Sequence, residues 1–176
     1  MIIHPLERHV YQGRTFDVFY ATRHFFRIVQ SGEHDGFSFD LELRDLPQPV
    51  QKHFVIELYP DYFQNAECFG VFHGKELIGV LEVVMEDWNK RLRISELYVQ
   101  EAYRYQGIGS LLMNHAEKIA EVKGARMLVL ETQATNVSAI QFYLACGYRL
   151  IGCDLYAYHN DDPITKEVRF EMGKKR

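Results

Sequence analysis

The stretch YRYQGIGSLL, residues 103–112, joins a predicted strand to a predicted helix and decides how the fold is interpreted. Arg104 lies three positions before Gly107, and Gly109 follows two positions later. Glycines let a ligand approach the backbone closely, and the N–H groups and dipole of a helix N-terminus attract anions. With the charge of Arg104, the stretch predicts a bound pyrophosphate. An ordinary strand-to-helix turn with a solvated arginine is the alternative.

Two other phosphate-binding motifs compete for this stretch. A P-loop requires a lysine followed by Ser or Thr after its second glycine, and Ser110 occupies the lysine position. A dinucleotide-binding turn fits better, because Glu131 ends the next predicted strand and can hold a ribose hydroxyl. However, Leu112 replaces the third small residue of that motif. The chain after Glu131 is also too short for a doubly wound sheet, which disfavours a dinucleotide.

The composition favours one cytoplasmic domain of 176 residues, with 47% hydrophobic and 25% charged residues. A net charge of −4 argues against nucleic acid and suits a cationic substrate. Cys68, Cys146 and Cys153 lack CxxC spacing, so we expect reduced thiols and no metal, with zinc a poor alternative. The start MIIHPLERHV lacks the apolar run of a signal peptide, and no stretch approaches membrane-spanning length.

From residue 67 onward the sequence predicts regular alternation of strands and helices. ECFGVFHGKELIGVLEVVMED reads as two antiparallel strands joined near residues 73–75, and DWNKR leads into the strand LRISELYV. The helix after the glycines ends near Gly124, RMLVLE is a strand, and Asn136 caps a second helix that Gly147 closes. YRLIGCDLYAY and KEVRFEM are the last strands, before a solvated KKR tail. This order predicts an α/β fold with one mixed, mostly antiparallel sheet flanked by helices.

The first 65 residues carry weaker signals. RTFDVFY alternates like a strand, and HFFRIVQ and FSFDLEL predict a hairpin around SGEHDG. Pro47 and Pro49 predict a bend, and YPDYF predicts a turn or a short helix.

Two linked motifs resemble those of the GNAT N-acetyltransferase superfamily. The first is Arg104-x-x-Gly107-x-Gly109, and the second is the run NVSAIQFYLACGY at residues 136–148. The stretch LETQATNVSAIQFYLACGYRLIGCDLYAYHN is more narrowly similar to the streptothricin acetyltransferase branch. The resemblance covers residues 67–172 as an acetyl-CoA-binding core. Residues 1–65 lack the helix pair usual in the family, and we expect this variable region to shape the acceptor side.

The resemblance implies direct transfer of an acetyl group from acetyl-CoA to an amine, without an acyl-enzyme. It implies that the main chain of Leu97 and Val99 pairs with pantetheine, and that Tyr143 protonates the leaving thiolate. Asn136 is predicted to cap a helix, and the resemblance implies that it also contacts CoA. The backbone groups that would cradle the pyrophosphate, close to Arg104, belong to Gln106, Gly107, Ile108, Gly109 and Ser110.

Several carboxylates are candidates for the base and for the acceptor site. Glu96 alternates onto one face of its strand with Ile94 and Tyr98, beside the pantetheine-pairing residues, and is the favoured base. Candidates for binding the acceptor are Glu82, Glu86, Asp87, Trp88 and Glu131, of which Glu82 and Glu86 are also alternative bases. Trp88 between carboxylates suits an ammonium group through cation–π attraction.

These residues predict an acetyl-CoA-dependent N-acetyltransferase acting on a small cationic amine, such as a streptothricin-type antibiotic. Two alternatives stay open, a protein N-terminal or lysine acetyltransferase and a CoA-binding regulatory module without turnover. We expect a monomer or homodimer with no nucleic-acid or membrane partner.

Overall fold

A computed structural model describes all residues from 1 to 176. Nine strands and four α-helices follow one another along the chain. In chain order they are β1 (Ile3–Leu6), α1 (Arg8–Tyr11), β2 (Thr15–Ser31), β3 (Ser38–Glu57), β4 (Ala66–His73), β5 (Glu76–Glu86), β6 (Arg91–Val99), α2 (Ile108–Val122), β7 (Met127–Gln133), α3 (Val137–Ala145), β8 (Arg149–Asp154), α4 (Asp162–Thr165) and β9 (Arg169–Lys175). No helix combines the length and the apolar character needed to cross a bilayer.

The first of two compact units comprises Met1–Val18, Phe54–Leu130 and Gly173–Arg176. Its strands follow the order β1-β4-β5-β6-β7, antiparallel except for the parallel pair of β6 and β7. The hairpin predicted from ECFGVFHGKELIGV is confirmed, because β4 and β5 pair up to His73 and Glu76. Strand β5 is buried over most of its length, as expected for the middle of a sheet covered on both faces.

Helix α2 covers the sheet of the first unit with one apolar face. The helix predicted after the glycines is confirmed, and its buried residues are Ile108, Leu112, Met113, Ala116 and Ala120. Gly79 in β5 lets the helix approach closely, since a Cβ there would lie 2.8 Å from Cγ2 of Ile108. The helix ends as predicted at Gly124, which has a φ of +65°.

The second unit comprises Phe19–His53 and Glu131–Met172. In it β7, β9 and β8 are neighbours in that order, and β2 and β3 form a separate two-stranded sheet. The predicted hairpin is therefore confirmed, but RTFDVFY and HFFRIVQ belong to one continuous strand, β2. The hairpin is attached through Phe26 N, which donates to Ala134 O at 3.0 Å, and through Tyr20 Oη, which lies 3.0 Å from Thr135 Oγ1.

The structure corrects two predictions about irregular segments. Pro47 and Pro49 lie inside β3 and not at a bend. In a two-stranded ribbon each strand has one unpaired edge, where a missing N–H removes no ladder hydrogen bond. The KKR end is not a solvated tail, because β9 extends to Lys175 and Arg176 Nη1 donates to the carbonyls of Ala120 and Ala125 at the end of α2.

The fold class predicted from the sequence is confirmed as a mixed α/β arrangement with mostly antiparallel strands. Residues 1–65 contain only the four-residue helix α1, so the helix pair usual in the resembled family is replaced by the β2–β3 hairpin. Sequence reasoning missed β1, α1 and α4, each only four residues long.

Candidate active site

The glycine turn precedes α2 in the first unit. Gly107 is the N-cap residue, with a left-handed φ of +84°, and Tyr105 also has a positive φ of 61°. In the first helical turn the N–H groups of Ile108, Gly109 and Ser110 have no acceptor within the helix. Ile108 is 1% exposed and fixes this turn in the core. The arrangement presents backbone donors at a helix N-terminus, which suits a diphosphate.

Two side chains of the turn fold back onto the connection from β6. Arg104 Nε donates to Val99 O at 3.2 Å, and Gln106 Nε2 donates to Ala102 O at 3.1 Å. The guanidinium of Arg104 is thereby held at the end of β6, close to the start of α2. A fixed positive charge at the end of β6 favours an anion at the N–H groups of Ile108, Gly109 and Ser110.

A β-bulge lies in the middle of β6. Glu96 is opposite Glu82 and Ile94 is opposite Val83, so Ser95 is an extra residue in the register with β5. Ile94, Glu96 and Tyr98 were expected to share one face of β6, because side chains alternate along a regular strand. The bulge interrupts this alternation. The pairing of β6 with β7 ends at Arg93. Leu97 and Val99 therefore lie in the part of β6 that follows this pairing.

Glu82 does not reach solvent. Its side chain is 0% exposed, and its carboxylate accepts hydrogen bonds from Tyr59 N at 2.6 Å, from Cys68 Sγ at 3.0 Å and from Ser95 Oγ at 2.9 Å. Burial raises the pKa of the Cys68 thiol, as does its hydrogen bond to Glu82, so the thiol stays protonated as a donor. An enclosed carboxylate has no surface for an amine to contact, which argues against the predicted substrate contact of Glu82.

The predicted cation site beside Trp88 contains one carboxylate that is already paired. Glu86 accepts from Arg91 Nε at 2.9 Å and from Arg93 Nε at 2.6 Å, and its side chain is 16% exposed. Burial alone would raise the pKa of Glu86, but hydrogen bonds from Asn89, Arg93 and Arg91 outweigh burial and lower it. Asp87 and Trp88 remain exposed, with Lys90 Nζ 3.5 Å from the Asp87 carboxylate.

Helix α3 in the second unit carries Asn136 and Tyr143. Asn136 is the N-cap residue, as predicted, and its side-chain oxygen accepts from Ala139 N at 3.3 Å. Tyr143 is half-buried, with its ring centroid 5.5 Å from that of Phe142 and 6.3 Å from that of Tyr148. Tyr143 is therefore packed by neighbouring aromatic rings without being enclosed.

Glu131 and Tyr158 lie near one another at the end of β7. Arg169 Nη1 is 3.6 Å from the Glu131 carboxylate, and Gln133 Nε2 donates to Tyr158 Oη at 3.5 Å. Burial raises the pKa of the Tyr158 hydroxyl, and the negative charge of Glu131 raises it further. Tyr158 therefore keeps its proton at neutral pH and can donate a hydrogen bond.

A cavity of about 550 Å³ opens in the second unit beside Tyr158. Its lining residues are Gln133, Tyr158, His159, Asp161, Asp162, Thr165 and Glu167. Asp162 is buried and accepts from Tyr158 N at 2.8 Å and from His159 N at 3.0 Å, which holds the loop in place. Lys52 pairs with Glu167, whereas Asp161 is exposed. Asp161 is therefore the one carboxylate of the lining that is exposed, and the cavity is large enough for a small molecule.

Sequence reasoning missed this cavity and the bulge at Ser95. The only signal for the cavity was the run YAYHNDDPITKE, whose aromatic, acidic and proline residues are also typical of a surface loop. No signal marked Ser95, because a bulge depends on the register of two strands and not on one residue type. No group of three or more His, Cys, Asp or Glu side chains is arranged to hold a metal ion.

Comparisons with known proteins show which family the chain belongs to. Residues 38–148 match the acetyltransferase (GNAT) family. Streptothricin acetyltransferase of Escherichia coli is 30% identical over 130 residues, 74% of this chain and 72% of that protein. Streptothricin acetyltransferase of Streptomyces lavendulae is 37% identical over 134 residues, 70% of this chain and 69% of that protein.

A solved structure of nourseothricin acetyltransferase has the same fold. It superposes with a TM-score of 0.75 at 25% identity, and the match covers 99% of this chain and 97% of that chain. The family match, the relatives and the backbone donors in the first turn of α2 lead to one assignment. The chain belongs to the GNAT acetyltransferase family, and it is an N-acetyltransferase that takes its acetyl group from acetyl-CoA.

Proposed function

We propose that this enzyme acetylates a primary amine of a small cationic molecule of the streptothricin class, by direct transfer in a ternary complex. Two similar proteins are named streptothricin acetyltransferases, which supports this class of acceptor. The observation that carries the proposal is the cavity beside Tyr158, because its volume and the exposed carboxylate of Asp161 suit a small cation.

The donor-side roles follow from the glycine turn and the strand before it. The pyrophosphate binds the N–H groups of Gln106, Gly107, Ile108, Gly109 and Ser110, with Arg104 adding charge. Pantetheine pairs with the main chain of Leu97 and Val99, and Asn136 contacts CoA. The left-handed Gly107 and the position of Arg104 at the end of β6 support this placement.

The chemistry requires one base and one acid. The amine nitrogen attacks the thioester carbonyl carbon, so a C–N bond forms and the C–S bond breaks. Glu96 takes the proton of the attacking nitrogen, directly or through a water, and Tyr143 gives a proton to the departing CoA thiolate. Hydrogen-bond donors at the thioester oxygen stabilise the negative charge that develops there.

The acceptor side is the cavity beside Tyr158, with Asp161 facing solvent and Glu131 close to Tyr158. The Asp161 carboxylate attracts the ammonium form of the acceptor, and the protonated Tyr158 hydroxyl offers a hydrogen bond to a polar group of the ligand. Because Glu86 is already paired with two arginines, the loop at Trp88 retains only Asp87 as an exposed carboxylate next to the ring.

The test measures thiol release from acetyl-CoA with a panel of amines, and mass spectrometry identifies the product. The panel contains a streptothricin, lysine-like diamines, and peptides with a free N-terminus or an internal lysine. We expect a streptothricin to be acetylated with the highest kcat/KM. Preferred acetylation of peptides would replace this proposal with a protein acetyltransferase, and thiol release without acetylated amine would contradict both.

Two matched variants distinguish the two acceptor positions. Asp161→Asn removes one charge from the cavity, and Asp87→Asn removes one charge from the loop at Trp88. Asp161→Asn should raise KM for the amine several-fold and leave KM for acetyl-CoA unchanged, since Asp161 has no proposed contact with acetyl-CoA. Asp87→Asn should change neither constant. The reverse result would move the acceptor to the loop at Trp88.

A further inference from the structure

Glu82 is a fully buried carboxylate that the proposed chemistry does not use. Burying a charged group is costly unless hydrogen bonds satisfy it, so an enclosed glutamate indicates a specific arrangement of donors around it. Glu82 lies in β5 with a side chain that is 0% exposed. The donors around it come from three different segments of the first unit.

The two oxygens of Glu82 have different partners. Oε2 accepts from Tyr59 N at 2.6 Å and from Cys68 Sγ at 3.0 Å. Oε1 accepts from Ser95 Oγ at 2.9 Å. One oxygen is therefore fixed by the loop after β3 and by β4, and the other oxygen holds a residue of β6.

Ser95 is the residue at which β6 departs from regular pairing. Opposite β5, the register passes from Ile94 to Glu96 and leaves Ser95 as the extra residue of a bulge. A bulge bends its strand and changes the direction of the side chains next to it. The hydrogen bond from Ser95 therefore fixes the bend immediately before Glu96 and Leu97.

We infer that Glu82 and Ser95 form a positioning pair, which holds the β6 bulge so that Glu96 and the main chain of Leu97 are aimed at the reacting groups. This inference rests on the proposed function, because Glu96 is proposed there as the base and Leu97 as a pantetheine partner. Neither Glu82 nor Ser95 touches the substrates in this scheme. The competing explanation is that the Glu82 carboxylate contributes only to the stability of the core.

Two single substitutions separate positioning from stability. Ser95→Ala removes the donor to Oε1 at the bulge, and Cys68→Ala removes a donor to Oε2 in the core. Each variant takes one hydrogen bond from the same carboxylate, so both should lower the melting temperature. Only Ser95→Ala should lower kcat/KM for acetyl-CoA, by on the order of tenfold to a hundredfold, since small misplacements of reacting groups have effects of that size. Ser95→Thr keeps a hydroxyl and should recover most of the activity.

A second readout does not depend on activity. Amide hydrogen exchange at Glu96 and Leu97 should become faster in Ser95→Ala and stay unchanged in Cys68→Ala. Equal loss of kcat/KM in both variants, or unchanged exchange at Glu96 and Leu97 in Ser95→Ala, would overturn the positioning role.

If the proposed function is wrong, the wild-type protein will acetylate no streptothricin, or Gly109→Val will bind CoA as tightly as the wild type does. The exchange measurement would still decide whether Ser95 holds the bulge, because it requires only the folded protein.

Discussion

Glu82, Glu86 and Asp87 are close in sequence, but their surroundings give them three different roles. Glu82 is enclosed by three hydrogen-bond donors, Glu86 is neutralised by two arginines, and Asp87 is exposed beside Lys90. An ionised side chain can attract a substrate only where its charge is accessible and not already compensated. Of these three residues, Asp87 alone meets that condition, and it meets it only weakly, because Lys90 is nearby.

Tyr143→Phe should lower kcat about 100-fold or more, because a positioned acid contributes about that much to proton transfer. The ring contacts of Tyr143 with Phe142 and Tyr148 are retained in the variant. KM for acetyl-CoA and the melting temperature should therefore change little. Steady-state kinetics with saturating amine checks this, and an unaltered kcat would mean that water protonates the thiolate.

At the scale of elements, the sequence predicts best those features that depend on neighbouring residues in the chain. Gly107 and Gly124 at the ends of α2 and Asn136 before α3 are local signals, and the structure has them as expected. The bulge at Ser95 depends instead on pairing with a strand formed earlier in the chain. The position of the two prolines inside β3 could not be predicted from neighbouring residues either. Whether a residue lies at an unpaired edge depends on how the strands pair.

The same limit applies to the candidate site. Arg104 and the glycines form a motif that can be recognised from the sequence alone, because helix N-termini attract anions in any fold. The environment of each carboxylate could not be predicted, since burial depends on residues distant in sequence. Tyr59 lies 23 positions from Glu82, and Lys52 lies 115 positions from Glu167.

Gly79→Ala should disturb the packing of α2 on β5. Its Cβ would lie 2.8 Å from Cγ2 of Ile108 and 3.4 Å from Cδ1 of Leu112, so the first turn of the helix must shift. Overpacking of this kind typically costs about 1–3 kcal/mol. Because Ile108 opens the helix at the proposed pyrophosphate donors, affinity for CoA should also fall, as measured by calorimetry.

Gly36→Ala provides the control for this substitution. Gly36 lies between β2 and β3, and a Cβ there would meet no atom within 4 Å. This variant should leave both the melting temperature and the affinity for CoA unchanged. Similar losses of CoA affinity in both variants would show that the close approach at Gly79 does not set the position of the helix.

At the scale of the whole molecule, four strands contribute residues to both compact units. Strands β2 and β7 pass from the first unit to the second after Val18 and Leu130, and β3 and β9 return to the first unit after His53 and Met172. Unfolding of one unit would therefore remove part of each of these strands from the other. We propose on this basis that residues 1–176 behave as a single cooperative domain.

Scanning calorimetry should accordingly show one unfolding transition whose calorimetric and van't Hoff enthalpies agree. CoA at about 100 times its dissociation constant should raise the whole transition by roughly 5–10 °C, since such a ligand adds about 2.7 kcal/mol of stability to a chain of this size. Gly109→Val should melt near the wild-type temperature without ligand and show no shift with CoA. Two transitions, of which CoA moves only one, would instead mean that the units unfold independently and that cooperativity ends within the strands that contribute to both units.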